Sequence, residues 1–188
     1  LVAIVGRPNV GKSTLFNLII GLLEPTSGQI EIDGTALKKE TRKSWIKNIG
    51  YVPQEVYIFN GTIAENIALG FNHIDKVKIA QLIKWTSLDT WIDSLPNGID
   101  TSLHEAGGNL SGGQKQRIGI ARALYKGASV LLMDEATSAL DNNTEQEIIQ
   151  TIKDLKNSCN NLTILSIAHR ATSLSYCDRI ITIKRDDE

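Results

Sequence analysis

The sequence predicts an α/β fold: a mostly parallel central sheet, a small antiparallel β portion and a helical lobe in the middle of the chain. Three observations carry this. Short continuous apolar runs end at glycine, proline or acidic residues; helical stretches lie between them; and a block from about residue 62 to 95 reads as helical throughout. In order, residues 1–5 are an unbroken apolar run before Gly6, as expected of a strand buried on both faces. A loop follows, then a helix carrying Leu15, Phe16, Leu18 and Ile19. Residues 28–34 alternate apolar and polar side chains between two glycines, which predicts a half-exposed strand and turn. Residues 49–53 predict a strand stopped by Pro53, and the helical block that follows carries Trp85 and Trp91. Beyond it a helix is expected over 111–125, a buried strand over 129–133, a helix over 144–156, and strands over 162–167 and 179–183.

The chain has 188 residues, a length that suits one domain and buries roughly 70% of the unfolded surface. The expected division is an α/β core from residues 1–61 and 126–188, with a helical subdomain over about 62–125. The chain opens directly on a core strand, which reads as a domain cut from a longer protein and truncated at its N-terminus. A formal net charge of −1 gives no basic excess pointing to nucleic acid, so none is expected as a partner. The apolar stretch around residues 15–23 is broken by Asn17 and Gly21 and is too short to span a bilayer. Cys159 and Cys177 form neither a metal cluster nor a disulfide framework, which fits a reducing, cytoplasmic setting.

Three motifs carry chemistry. Gly6-Arg7-Pro8-Asn9-Val10-Gly11-Lys12-Ser13-Thr14 fits GxxxxGK[ST] between a strand and a helix, the P-loop context. Glycines let the backbone wrap an anion, successive N–H groups at a helix N-terminus point at it, Lys12 adds positive charge, and the Ser13 hydroxyl can hold Mg²⁺. The cradle is therefore assigned to Gly6, Asn9, Val10, Gly11, Lys12, Ser13 and Thr14. Asp134 and Glu135 follow the apolar run 130–133, so they emerge at the carboxyl end of a strand, near bound phosphate. Asp134 would hold the metal and Glu135 polarise the attacking water; without a phosphate loop the pair would equally read as a helix cap and a first-turn acid. In Leu110-Ser111-Gly112-Gly113-Gln114, Ser111 caps a helix whose glycines expose amides at its positive end, a second anion site.

These motifs in this order resemble the nucleotide-binding domain of ABC (ATP-binding cassette) proteins, and Gln114-Lys115-Gln116-Arg117 and the residues after it match that family's continuation. The resemblance spans nearly the whole chain. It implies a P-loop NTPase with a helical signature subdomain, which hydrolyses ATP with Mg²⁺ in a head-to-tail dimer, homomeric or heteromeric. Ser111, Gly112, Gly113 and Gln114 would close over the γ-phosphate bound by the partner subunit. Gln54, after Tyr51-Val52-Pro53, matches the Q-loop glutamine that senses Mg²⁺ and the attacking water, so the metal set implied is Ser13, Gln54 and Asp134. Asp141, in Ser138-Ala139-Leu140-Asp141, matches the D-loop that crosses the dimer interface, and His169 the switch histidine at the γ-phosphate. The stretches 59–67 and 101–107, the latter with His104 and Glu105, resemble exporter-type domains. That implies a transmembrane domain as partner and a place at the cytoplasmic face of a membrane.

Two features depart from the family. The loop interior Arg7-Pro8-Asn9-Val10 resembles the first motif of ribosome-assembly GTPases, and Pro8 removes one N–H from the cradle. No guanine-specifying NKxD loop follows, so a GTPase reading ends near residue 17, and a recombined or engineered phosphate loop is the expectation. The aromatic residue on which the family stacks adenine lies upstream of the first strand, and a chain lacking a contact worth roughly 1–3 kcal/mol should discriminate bases poorly. Alternatives that stay open are a chimeric domain that binds phosphate with little turnover, a soluble non-transporter ABC ATPase, and a guanine-nucleotide switch.

Overall fold

The structure, a computed structural model, describes residues 1–7, 10–104, 107, 109–159, 161–168 and 177–184. The chain begins with β1 (Val2–Val5), α1 (Lys12–Ile20), a hairpin of β2 (Glu31–Ile32) and β3 (Thr35–Ala36), α2 (Arg42–Lys47) and β4 (Ile49–Val52). The middle holds β5 (Gly61–Thr62), α3 (Ile63–Ile67), α4 (Lys76–Trp85), α5 (Asp89–Asp93) and β6 (Ser102–Leu103). The rest is α6 (Gly112–Tyr125), β7 (Val130–Asp134), α7 (Asn142–Ser158), β8 (Thr163–Ile167) and β9 (Arg179–Thr182). Five strands form one sheet in the order β4-β7-β8-β1-β9, each neighbouring pair parallel. Their carboxyl ends therefore share one edge, and the loops after β1, β4, β7 and β8 open there. The two short pairs, β2–β3 and β5–β6, are antiparallel.

Alternation along β7 divides the interior into two layers. Leu131 and Met133 enter a large buried cluster with Ile118 and Ile120 of α6, Ile148 and Ile152 of α7, and Ile67, Ile79 and Leu82 of the helical block. Leu132 faces the other way, into a smaller cluster with Ile4, Phe16, Ile49 and Ile167, flanked by Trp45. At roughly 1.5–3 kcal/mol for each fully buried Leu, Ile or Phe, the large cluster holds the helical block and the sheet together through one core.

The helical middle divides into three helices, and each break has a local cause. A capping box starts α3: the Thr62 hydroxyl accepts from the Glu65 amide at 3.1 Å, and Glu65 Oε2 accepts from the Thr62 amide at 2.6 Å. Asp75 caps α4 by accepting from the amides of Val77 and Lys78, both at 3.0 Å. Between α4 and α5 Ser87 takes a left-handed φ of 53°, which no helix interior tolerates. Helix α2 is an addition to the sequence reading. Its anchor is Trp45, whose indole N–H donates to the carbonyl of Ile19 at 2.6 Å.

Candidate functional site

The phosphate loop joins β1 to α1 under two constraints. A Cβ on Gly6 would lie 2.7 Å from the Ile183 carbonyl oxygen and 2.7 Å from Val10 Cγ2, so only glycine lets the loop leave the sheet here. Gly11 precedes α1 with φ 93° and supplies no side-chain cap. The first-turn amides of α1 are therefore not closed off by a capping side chain. Lys12 is 6% exposed and folds over the loop, its ammonium donating to the carbonyls of Gly6 (3.0 Å) and Arg7 (2.9 Å). Ser13 and Thr14 are exposed at the mouth and Val10 is half-buried, while Asn9 lies outside the described residues. A positive end-on helix, a buried ammonium and an exposed hydroxyl together suit a phosphate with its counter-ion.

The acidic pair stands on the same edge. Asp134 ends β7, and one strand, β8, lies between it and β1, so the two motifs are about 10 Å apart in strand spacing. The Tyr51 hydroxyl, from β4, donates to Asp134 Oδ2 at 2.9 Å. Burial first, then the hydrogen bond and the charge of Asp134, push the Tyr51 hydroxyl up to about 12. Glu135 has φ 50°, a left-handed conformation that is costly for a residue with a side chain. That twist turns the chain out of β7 at the carboxyl edge.

Behind Glu135 a hydrogen-bonded chain crosses three motifs. Ser138 Oγ donates to the Glu135 carbonyl at 2.9 Å and accepts from Gln54 Nε2 at 3.0 Å. The Gln54 carbonyl in turn accepts from Gln116 Nε2 at 2.7 Å, and Gln116 is buried in α6. The structure thus brings Gln54 and Glu135 together through Ser138. His169 follows β8, whose last neighbour Ala168 donates its amide to the Ile4 carbonyl at 3.2 Å; His169 itself lies outside the described residues, as does Glu105.

Ser111 caps α6 in a closed capping box: its hydroxyl accepts from the Gln114 amide at 3.2 Å, and Gln114 Oε1 accepts from the Ser111 amide at 2.9 Å. The two glycines after it are set by packing. A Cβ on Gly112 would lie 2.8 Å from Leu140 Cδ2, and one on Gly113 2.6 Å from Thr144 Cγ2. Asp141 caps α7 within its own chain, accepting from the amides of Asn143 and Thr144 at 3.1 Å. Hydrogen bonds from Thr144, then Asn143, hold its carboxyl below the ordinary range. The signature end of α6 therefore rests on the start of α7, while the phosphate loop rests on the end of β9.

Among the described residues no three His, Cys, Asp or Glu side chains cluster to hold a metal ion. One carboxylate, one hydroxyl and phosphate oxygens form the sparse, hard-oxygen donor set of a Mg²⁺ that arrives with its nucleotide, and Asp134 and Ser13 fit it. Three contributors escaped the sequence reading. Tyr51 reads there as an ordinary strand aromatic. Gln116 carried a signal, a polar residue four before buried Ile120 on the inner stripe of α6. Arg122 clamps the stretch after Gln54 by donating to the carbonyls of Asn66 (2.9 Å) and Tyr57 (3.0 Å), beside the ring of Phe59.

Comparison with known proteins places this geometry. A family profile described as ABC transporter matches residues 1–138. The ATP-dependent lipid A-core flippase of Ralstonia nicotianae is 41% identical over 187 residues, 98% of this chain and 31% of the flippase. The mitochondrial iron-sulfur clusters transporter ATM1 of Debaryomyces hansenii is 42% identical over 184 residues, 98% of this chain and 26% of that protein. The solved structure of a bacterial Atm1-family ABC exporter with ATP bound superposes with a TM-score of 0.85 at 40% identity, covering 97% of this chain and 32% of that one. The chain thus spans roughly a quarter to a third of the length of these relatives. The profile match starts at residue 1 and runs through the phosphate loop, and the expectation of a recombined loop gains no support from it.

Proposed function

The chain belongs to the ABC transporter family as an exporter-type ATPase domain, and we propose that it hydrolyses MgATP in a head-to-tail pair that powers a separate membrane domain. The observation that carries the pairing is the contrast between two helix starts. The α1 start has a glycine cap and a buried ammonium. The α6 start packs on Leu140 and Thr144 of its own chain, and in this reading its glycine amides meet a phosphate held by another chain. In this reading Gly6, Asn9, Val10, Gly11, Lys12, Ser13 and Thr14 cradle the phosphates of one chain. Ser111, Gly112, Gly113 and Gln114 cover them from the other, and Asp141 lies at the crossing. Mg²⁺, when bound, would be held by Ser13, Asp134 and Gln54 and would neutralise phosphate charge. Glu135 takes the proton from the attacking water, Gln54 orients that water, and His169 steadies the γ-phosphate.

Residues 1–61 and 126–188 act as the catalytic core and about 62–125 as the lobe carrying the signature helix. The membrane partner docks on the side where Tyr57, Phe59, Leu69 and Phe71 are exposed; among the described residues no helix is long and apolar enough to cross a membrane. The whole assembly then works at the cytoplasmic face. A soluble, non-transporter role is not favoured, since the relatives matched over nearly the whole chain are named as flippases and transporters.

The test uses Glu135→Gln. Turnover should fall by roughly 10²–10⁴-fold, while MgATP still binds by calorimetry and drives pairing seen by light scattering. Unchanged turnover would remove Glu135 as the base. Binding without pairing would leave a phosphate-binding domain that does not cycle. A parallel MgGTP titration reads the base preference.

A further inference from the structure

From the neighbouring strand β4, the Tyr51 hydroxyl donates to Asp134 Oδ2 at 2.9 Å. The register explains the reach. Tyr51 pairs with Leu132, so on this face Asp134 is the next residue along β7, and a phenol spans the diagonal. Tyr51 is 43% exposed, and it borders an open groove of about 250 Å³ also lined by Ile20, Ile46, Leu69, Phe71 and Arg122. Resting on the reading that Asp134 binds the metal, we propose that Tyr51 is a positioning residue for that carboxylate: by occupying Oδ2 it fixes the rotamer and turns Oδ1 toward the cation. Ligating carboxylates depend on such outer hydrogen bonds, and removing one typically lowers metal affinity roughly 10–100-fold. Tyr51→Phe keeps the ring beside the groove and deletes only the donor.

The experiment titrates Mn²⁺ into the full chain mixed with a non-hydrolysable ATP analogue and reads free Mn²⁺ by electron paramagnetic resonance. Analogue affinity without metal and the melting temperature are measured beside it. Tyr51→Phe should weaken Mn²⁺ binding at least about tenfold, with metal-free nucleotide affinity and melting temperature unchanged. Unchanged or tighter Mn²⁺ binding in Tyr51→Phe, while Asp134→Asn loses it, would overturn the positioning role and leave Asp134 as a ligand. Equal binding in the unaltered chain, Tyr51→Phe and Asp134→Asn would overturn the Asp134 reading and this proposal with it. Absence of Mn²⁺ binding in the unaltered chain would do the same.

Discussion

Two helix N-termini in this molecule carry glycine-rich anion motifs, yet they are built on different principles. At the start of α1 Gly11 answers to the backbone: it has φ 93° with nothing within 4 Å of where a Cβ would stand, and no side chain caps the helix. At α6 the glycines answer to a neighbour, since Leu140 and Thr144 press on Gly112 and Gly113, and a Ser111–Gln114 capping box already engages one amide of the helix end. The first site holds an ammonium in place within a single chain. The second has its Gln114 amide satisfied locally by Ser111, while the box leaves the Gly112 and Gly113 amides uncapped. The difference teaches that one glycine motif is shaped by its own backbone and the other by the element packed against it.

Lys12→Ala breaks the comparison hardest. Removing the ammonium proposed to meet the phosphates should weaken MgATP binding by about 100-fold, some 3 kcal/mol, measured by calorimetry. Retained affinity would mean the backbone cradle alone binds. Next, Gly113→Ala should destabilise the fold by roughly 1–3 kcal/mol in urea denaturation, because the new methyl meets Thr144 Cγ2. Thr144→Ser removes that methyl and should restore much of the loss. The same second change should not rescue Gly11→Ala, whose cost of roughly 1–2 kcal/mol is backbone strain. Rescue of both would erase the distinction between the two glycine motifs.

Ser111→Ala sharpens it further: loss of the cap costs about 1 kcal/mol of stability, leaves the affinity of a single chain for MgATP unchanged, and weakens ATP-driven pairing. The smallest effect concerns pH. Asp141 is held below its ordinary value near 3.8, so the stability it adds is present above that value and is lost as pH falls through its lower folded one. Asp141→Asn should flatten the acid limb of the melting curve slightly, since Asn also caps.

Much of the fold was legible because parallel strands buried on both faces need apolar runs: residues 1–5 and 130–133 are unbroken, and 163–167 keeps Ile164, Leu165 and Ile167 around Ser166. Helix α2 was not, because Arg42–Lys47 has no apolar period and is placed by long-range bonds, from the Trp45 indole to Ile19 and from Lys126 to the Ile46 carbonyl. The β5–β6 pair joins Gly61 to Leu103, a long-range pairing of two-residue strands that leaves no local pattern. At the candidate site, the placement of Lys12 and Ser13 at a helix start and of Asp134 and Glu135 at a strand end followed from spacing. That of Tyr51 did not, and Gln116 showed only as a polar residue on a buried stripe, since each acts through a residue distant in the chain.

The sequence by itself determined what depends on neighbours along the chain: which strands are buried, where glycine must turn the phosphate loop, which helix Ser111 caps, and which acids follow an apolar strand. The tertiary structure decided what depends on the order of strands and the approach of elements. It set β8 between the two phosphate-edge motifs, put Tyr51 on Asp134, ran Gln116, Gln54, Ser138 and Glu135 into one hydrogen-bonded chain, and made Gly113 obligatory through Thr144. Hydrogen bonds and van der Waals contacts act over a few ångströms of space, and only folding brings residues this far apart in sequence within that range.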